Sequence, residues 1–212
     1  MNTNYNYNTA KLDHKAILDI VQNGSSVLDL GCGEGDLLYL LVKEKQVKAQ
    51  GVDIDEQAIY KCVEKGLSVF HGDIDSGLAD YNDKSFDYVI LNQSLQQVRN
   101  LENALEDALR VGQKVIVGVP NFAHYKARYQ MFFKGRAPIT HALPYQWYNT
   151  PNLHFLSLAD FTDYCAVKAI KIESSTFVGD KGRIKILPNV FAQIGIFVVS
   201  KADNLKNRRV TK

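Results

Sequence analysis

The sequence predicts an α/β domain on a mostly parallel sheet that finishes in a C-terminal antiparallel hairpin. Three observations carry this expectation. Short β-branched apolar runs alternate with segments of helical period, strand then helix then strand, from Val27 to Val119. The runs lack inside–outside alternation, as strands covered on both faces do, so right-handed crossovers are the expected connections. A strand-like run also opens onto a glycine loop at Gly31, with a helix beginning near Leu37. That arrangement puts ligand chemistry at the C-terminal ends of the strands.

The elements follow in order. Met1 to Thr9 is rich in Asn and Tyr without a period and reads as a disordered or loosely docked leader, with residues 1–11 outside the domain. A helix is expected from Leu12, because Leu12, Ala16, Ile17, Ile20 and Val21 recur at helical spacing before the stop Asn23-Gly24-Ser25. The runs then alternate through Val27–Leu30, Leu37–Val42, Ala49–Val52, Ala58–Val63, Leu67–Phe70, Phe86–Leu91, Leu101–Leu109 and Val115–Val119. Past Pro120 the rhythm gives way to an aromatic and basic stretch, so residues 121–152 are expected to be an insertion over the strand ends. A helix capped at Ser157 and Asp160, and strand-like runs at Ile170–Phe177 and Ile194–Val199, complete one domain of residues 12–200. The tail, residues 201–212, carries five basic residues against one acid and reads as a solvated terminus.

Composition bounds the function classes. A chain of 212 residues with 46% hydrophobic content builds one substantial core. No basic run precedes an apolar stretch, and no segment offers the ~20 apolar residues that span a bilayer. A soluble, cytoplasmic protein without a membrane partner is expected. Cys32, Cys62 and Cys165 are odd in number and far apart, which fits a reducing compartment rather than a disulfide framework. The five histidines are equally scattered, so no metal site is expected. Charge is uneven as well. From Ala108 to Ala159 there is no Asp or Glu, while Arg110, Lys114, Lys126, Arg128, Lys134 and Arg136 all fall inside.

The segment Val27-Leu28-Asp29-Leu30-Gly31-Cys32-Gly33-Glu34-Gly35-Asp36 reads as strand, glycine loop and helix start. Position 36 is Asp, so the spacing of a dinucleotide loop fails, and no Gly-Lys-Ser/Thr follows to make a P-loop. Asp29, Glu34 and Asp36 would repel phosphate and favour a ligand bearing an ammonium and a sulfonium. Asp53, ending the second strand, is placed to accept ribose hydroxyls, and Asp73 with the backbone and side chain of Ile74 to meet an adenine. Asp55 and Asp75 read instead as helix caps. S-adenosylmethionine or S-adenosylhomocysteine is therefore the expected cofactor. Its contacts are assigned to Asp29, Gly31, Cys32, Gly33, Gly35, Asp53, Ile54, Asp73, Ile74, Asn92 and Gln93.

From Val27 to Val119 these motifs resemble those of class I S-adenosylmethionine-dependent methyltransferases, which implies their Rossmann-like fold. Gly72-Asp73-Ile74-Asp75-Ser76-Gly77-Leu78, the run from Phe86 to Gln96, Pro120-Asn121-Phe122, the run from Leu143 to Asn152 and the following His154 are similar to the methionine-biosynthesis MetW family. The resemblance implies a role in methionine biosynthesis and support of a homoserine O-acyltransferase partner. It implies no particular methyl acceptor. The leader and the basic tail lie outside it.

Methyl transfer from a sulfonium starts with an activated leaving group, so positioning can supply much of the catalysis without a dedicated base. The catalytic assignment stays open. Asn92-Gln93-Ser94-Leu95 replaces the Pro-Pro-aromatic signature of amino-group nucleic-acid methylases, which argues against that substrate. Gln93, Ser94 and Gln96 are placed to line the donor pocket, whereas Asn92 and Gln97 can equally serve the loop backbone. Phe122, Tyr125, Tyr129 and Phe132 recur at helical spacing, and the plainer expectation makes them the buried face of an amphipathic lid. The sharper one makes the stretch a surface for a small anionic substrate or an acidic partner, with Asn121, Lys126, Arg128, Tyr145 and Trp147 as candidates. Tyr145, Trp147, Tyr148 and His154 would close the donor pocket, although His154 reads equally well as a hydrogen-bonded structural residue. RNA would fit the charge, but no recognition module accompanies it.

Overall fold

The apolar runs fold into seven strands and seven α-helices in the computed structural model, which describes residues 7–202. In chain order these are α1 (Tyr7–Ile20), β1 (Ser26–Leu30), α2 (Asp36–Lys45), β2 (Lys48–Asp53), α3 (Glu56–Glu64), β3 (Val69–His71), β4 (Phe86–Asn92), α4 (Leu101–Val111) and β5 (Gly112–Pro120). Then come α5 (Tyr125–Lys134), α6 (Leu158–Val167), β6 (Ile170–Val178), α7 (Pro188–Phe191) and β7 (Ile194–Lys201). Single 3-10 turns follow β3 and β4, at Ile74–Ser76 and Leu95–Gln97.

One sheet holds all seven strands in the order β3-β2-β1-β4-β5-β7-β6. The first five pair parallel, and β7 lies antiparallel between β5 and β6. Successive residues of each central strand face opposite layers, which is why the runs carry no polar alternation. Leu28, Leu30, Val89, Leu91, Val115 and Val117 pack with Leu105 and Leu109 of α4 and Phe161 of α6. Val27, Ile90, Ile116 and Ile196 pack on the other side with Ile17 of α1 and Leu37 and Leu41 of α2. The sheet is thus covered on both faces, a Rossmann-like methyltransferase fold whose C-terminal strands are antiparallel.

Boundaries are where sequence and structure part. Helix α1 begins at Tyr7, five residues before the expected start, so part of the expected leader is helical; residues 1–6 lie outside the described chain. The tail is described only to residue 202, which leaves most of its basic residues outside. Strand β3 is short and shifted to Val69–His71. The helix expected at Ser157 forms with a full capping box, Ser157 Oγ accepting from Asp160 N and the Asp160 carboxylate accepting from Ser157 N. Asp55 caps α3 by accepting from Gln57 N at 2.8 Å. Asp75 is not a cap. Asp73 caps the 3-10 turn, and Asp75 instead holds the chain ahead of α4 by accepting from Arg99 N and Asn100 N, both at 2.9 Å. Among the described residues no helix is long and apolar enough to cross a membrane.

Candidate cofactor site

Parallel pairing brings the C-terminal ends of β1, β2, β3 and β4 side by side, with Leu30 opposite Val52 and Asp53 opposite His71. The glycine loop, Asp53, Asp73 and Asn92 therefore share one rim. Gly31, Gly33 and Gly35 take positive φ values of 77°, 53° and 76°, a conformation that side-chain-bearing residues rarely adopt. Their neighbours differ. A Cβ on Gly31 would stand 2.7 Å from Ser94 Cβ, while one on Gly33 would meet nothing within 4 Å, so the loop is packed below and open above.

The loop is closed from β2. Gly31 N and Cys32 N donate to Val52 O at 2.8 and 3.1 Å, and Gly33 N donates to Asp53 Oδ2 at 2.6 Å. Asp53 Oδ1 accepts from Asp55 N at 2.9 Å. Each oxygen of this half-buried carboxylate keeps a second lone pair, as a ribose diol requires. Asp73 uses Oδ1 for its turn and accepts through Oδ2 from no described residue, and Ile74 beside it is partly buried. Ile54 is exposed on the outer side of the rim, where its carbonyl oxygen lies 3.0 Å from His71 Nε2. Cys32 and Cys62 lie beneath the loop, with Cys62 Sγ 3.2 Å from Gly33 O; burial pushes the Cys32 thiol far up and raises that of Cys62.

The three loop carboxylates do not act together. Lys61 of α3 pairs with Glu34, and Lys65, just after that helix, pairs with Asp36 at 2.5 Å, so both acids are neutralised on the surface. Asp29 alone points inward. It is 2% exposed, and no described residue donates a hydrogen bond to it or pairs with it as a cation. Burial, and then the neighbouring charge of Asp53, raises its carboxyl to about 7. A buried carboxylate left in this state is stabilised by a ligand ammonium. The residues present thus fit the amino-acid end of S-adenosylmethionine at Asp29 and its ribose at Asp53.

The far side of the rim is filled by the protein itself. Ser94 Oγ donates to Leu30 O at 2.7 Å, and Gln96 Nε2 donates to Gln93 O at 2.6 Å. Asn92 Nδ2 and Gln93 Nε2 donate to Asp13 Oδ2 of α1, at 3.1 and 2.8 Å. Asp13 is fully buried, and the sequence reading passed over it. Its signal was position: it lies one helical turn before Ile17, on the apolar stripe. Gly118 opposes Asn92 in β5, and a Cβ there would overlap Asn92 Oδ1, so glycine is what admits the amide. Three acceptors in this region, Asn92 Oδ1, Gln96 Oε1 and Asn152 Oδ1, are buried without a hydrogen-bond partner.

The segment after β5 reaches this rim at Leu153 and His154. Leu153 N and His154 N donate to Gln96 O, and His154 Nε2 lies 3.0 Å from Val98 O, a structural tie. Asn121 is fully buried and donates to Ala192 O and Asn189 O, at 2.7 and 3.1 Å. Two expectations fail here. The rings of α5 are not core, since only Ala127 of that helix is buried and Tyr125, Tyr129 and Phe132 are exposed. Trp147 and Tyr148 are exposed too and do not close the cofactor rim, while Tyr145 is half-buried. Lys126 and Arg128 are engaged within the chain: Lys126 pairs with Asp180 at 3.0 Å, and Arg128 Nε donates to Ala123 O at 2.5 Å.

Fold and rim together define a class I S-adenosylmethionine-dependent methyltransferase architecture. S-adenosylmethionine-dependent methyltransferases from Thermotoga maritima and Archaeoglobus fulgidus match it with TM-scores of 0.64 and 0.63, at 17% and 15% identity. The matches cover 92% and 93% of this chain and 90% and 94% of theirs. Within that class, the family model described as methionine biosynthesis protein MetW matches residues 11–199, and the chain belongs to that family. The bifunctional methionine biosynthesis protein MetXA/MetW of Rhodopirellula baltica is 35% identical over 178 residues, 80% of this chain but only 29% of that relative's length. A demethylmenaquinone methyltransferase of Shouchella clausii is 27% identical over 180 residues, 74% of this chain and 76% of its own.

Proposed function

We propose that this protein is an S-adenosylmethionine-binding subunit that supports a homoserine O-acyltransferase in methionine biosynthesis. One observation carries the reading: the cofactor half of the rim holds Asp29, a buried carboxylate to which no described residue donates, whereas the donors of the opposite half, Ser94 Oγ and the side-chain amides of Asn92, Gln93 and Gln96, are turned onto the protein's own groups. Asn121 Nδ2 is likewise bonded within the chain, and His154 Nε2 lies 3.0 Å from Val98 O. Such a site offers an acceptor to a cationic ligand and spends its own donors internally rather than on a second molecule. The fused relative, whose name joins MetXA to MetW, supports a working connection between the two activities. The bound cofactor then serves as a signal of methionine-derived methyl donor.

The test is acyltransferase turnover of a purified homoserine O-acyltransferase, alone, with this chain, and with this chain plus S-adenosylmethionine. Turnover should rise with the chain and change again with the ligand. Identical turnover in all three reactions overturns the partner reading, and calorimetry without S-adenosylmethionine binding overturns the cofactor reading.

A second reading, methyl transfer to a small molecule, is favoured by the orphaned acceptors Asn92 Oδ1, Gln96 Oε1 and Asn152 Oδ1. Acceptors select N–H and O–H donors, so this reading calls for an amine or hydroxyl substrate rather than an anion. Methyl transfer from labelled donor to a pool of small amines and alcohols distinguishes it.

A further inference from the structure

Exposed apolar side chains occur at several places, among them Tyr60, Val167 and Ile186, but one face gathers large aromatic rings. Along the C-terminal half of α5 and the loop beyond it, Phe132, Phe133, Trp147 and Tyr148 are 82%, 70%, 75% and 69% exposed. The rings fall into two clusters, one on the helix and one on the loop. Tyr129 and Phe133 have centroids 5.1 Å apart, Phe132 and Phe133 4.9 Å, and Trp147 and Tyr148 5.7 Å. Between helix and loop runs a groove of about 610 Å³ whose lining includes Lys134, Arg136, Ile139 and Trp147.

The same helix is anchored from its other half. Ala127 is buried, Lys126 is held by Asp180, and Arg128 donates to backbone carbonyls on either side. Its aromatic end is therefore presented on a fixed support, which lowers the ordering cost of an association. Charge sharpens the surface. Among the described residues neither Lys134 nor Arg136 has a carboxylate partner, and the chain supplies no acid between Ala108 and Ala159. Lys134 Nζ lies 5.7 Å from the Tyr129 ring centroid. Two exposed aromatic clusters beside a groove lined by Lys134 and Arg136 have the composition of a protein-interface centre. Two such cations are too few for a phosphate-tracking surface, whose affinity comes from many neutralised phosphates.

We infer that this face docks a folded protein that offers an apolar contact rimmed by carboxylates. Resting on the partner reading above, the occupant is the homoserine O-acyltransferase. Phe132 and Phe133 supply the apolar centre, Trp147 walls the groove, and Lys134 and Arg136 meet the acidic rim. The surface lies outside the cofactor rim, so docking and ligand binding use different residues.

The experiment measures binding of the full chain to a purified homoserine O-acyltransferase, with thermal melting of every variant as the folding check. Phe132→Ser with Phe133→Ser should weaken binding by about thirtyfold. Lys134→Glu with Arg136→Glu should weaken it by about tenfold and flatten its salt dependence. Val167→Ser, an exposed position on α6, should leave it unchanged. If the wild-type chain binds and the phenylalanine pair binds equally well, the surface is wrong and the partner reading stands. If the wild-type chain does not bind, both fail. Sedimentation velocity supplies the last arm: a wild-type dimer that the phenylalanine pair dissolves would make the occupant a second copy and overturn the assignment. Wild-type binding to phosphatidylserine vesicles, lost in the same pair, would overturn it in favour of a membrane surface.

Discussion

The glycine loop and the outer face of α5 treat charge and apolar surface in opposite ways. Around the loop every exposed acid has a lysine, Lys61 for Glu34 and Lys65 for Asp36, and the one acid left alone is buried. On the outer end of α5, among the described residues, Lys134 and Arg136 pair with no acid and the rings are exposed. The first region is shaped to hold a small cationic group, whereas the second presents a broad surface suited to something large. The difference teaches that overall sequence charge is a poor guide to a site. What matters is which charges the fold leaves without a partner.

Four measurements can break or sharpen that contrast, beginning with the largest effect. Gly31→Ala forces a left-handed residue to carry a Cβ that meets Ser94 at 2.7 Å. It should cost about 2–3 kcal/mol in urea unfolding. Tolerance of that change would mean the loop is not held as tightly as its packing implies. Asp53→Ala removes both the acceptor of Gly33 N and the expected ribose contact. Calorimetry should show S-adenosylmethionine affinity falling by about thirtyfold, while capture of the acyltransferase stays intact.

The third measurement uses pH. Asp29 is raised to about 7 in the folded chain by burial, from an ordinary carboxylate value when unfolded. Its contribution to stability is therefore largest in acid and is lost as pH rises through about 7. Binding of a cationic ligand needs the ionised form, so affinity should rise by about tenfold between pH 6 and pH 8, with proton release on binding below neutrality. Asp29→Asn should remove this pH dependence and stabilise the ligand-free chain in alkali relative to wild type. Parallel pH profiles for both proteins would exclude Asp29 as the group that reads the ligand. The smallest effect is expected on the other face. Phe132→Ser should change unfolding free energy by no more than about 0.5 kcal/mol, because its ring is mostly in solvent already. A loss of several times that size would show the ring to be part of the core.

Much of the fold could be read directly, because strands buried on both faces leave unbroken apolar runs and because Gly31, Gly33 and Gly35 mark a turn that other residues resist. Asp53 was legible for the same reason, as an acid at a strand end. Other features depend on contacts between distant segments. Nothing local to Glu34 or Asp36 tells that Lys61 and Lys65 will reach them from the next helical segment. Asp13 stood on an apolar stripe, yet its amide partners are 79 and 80 residues away. The rings of α5 were misread because helical spacing reports that residues share a face without saying whether that face turns inward. The C-terminal hairpin was expected at the edge, and β6 is there, but β7 took the inner position beside β5. Ile194 to Val199 is the more apolar of the two runs, which suits burial on both faces.

That inner position sets an order of events during synthesis. Strand β6 leaves the ribosome before β7, yet its only neighbour in the sheet is β7, which also covers the open flank of β5. Until β7 has been made, β6 has no partner strand and the outer edge of β5 has no cover. The domain closes only when nearly all of the described chain has been made, so chaperone dependence should be greatest for chains stalled just short of Ile194.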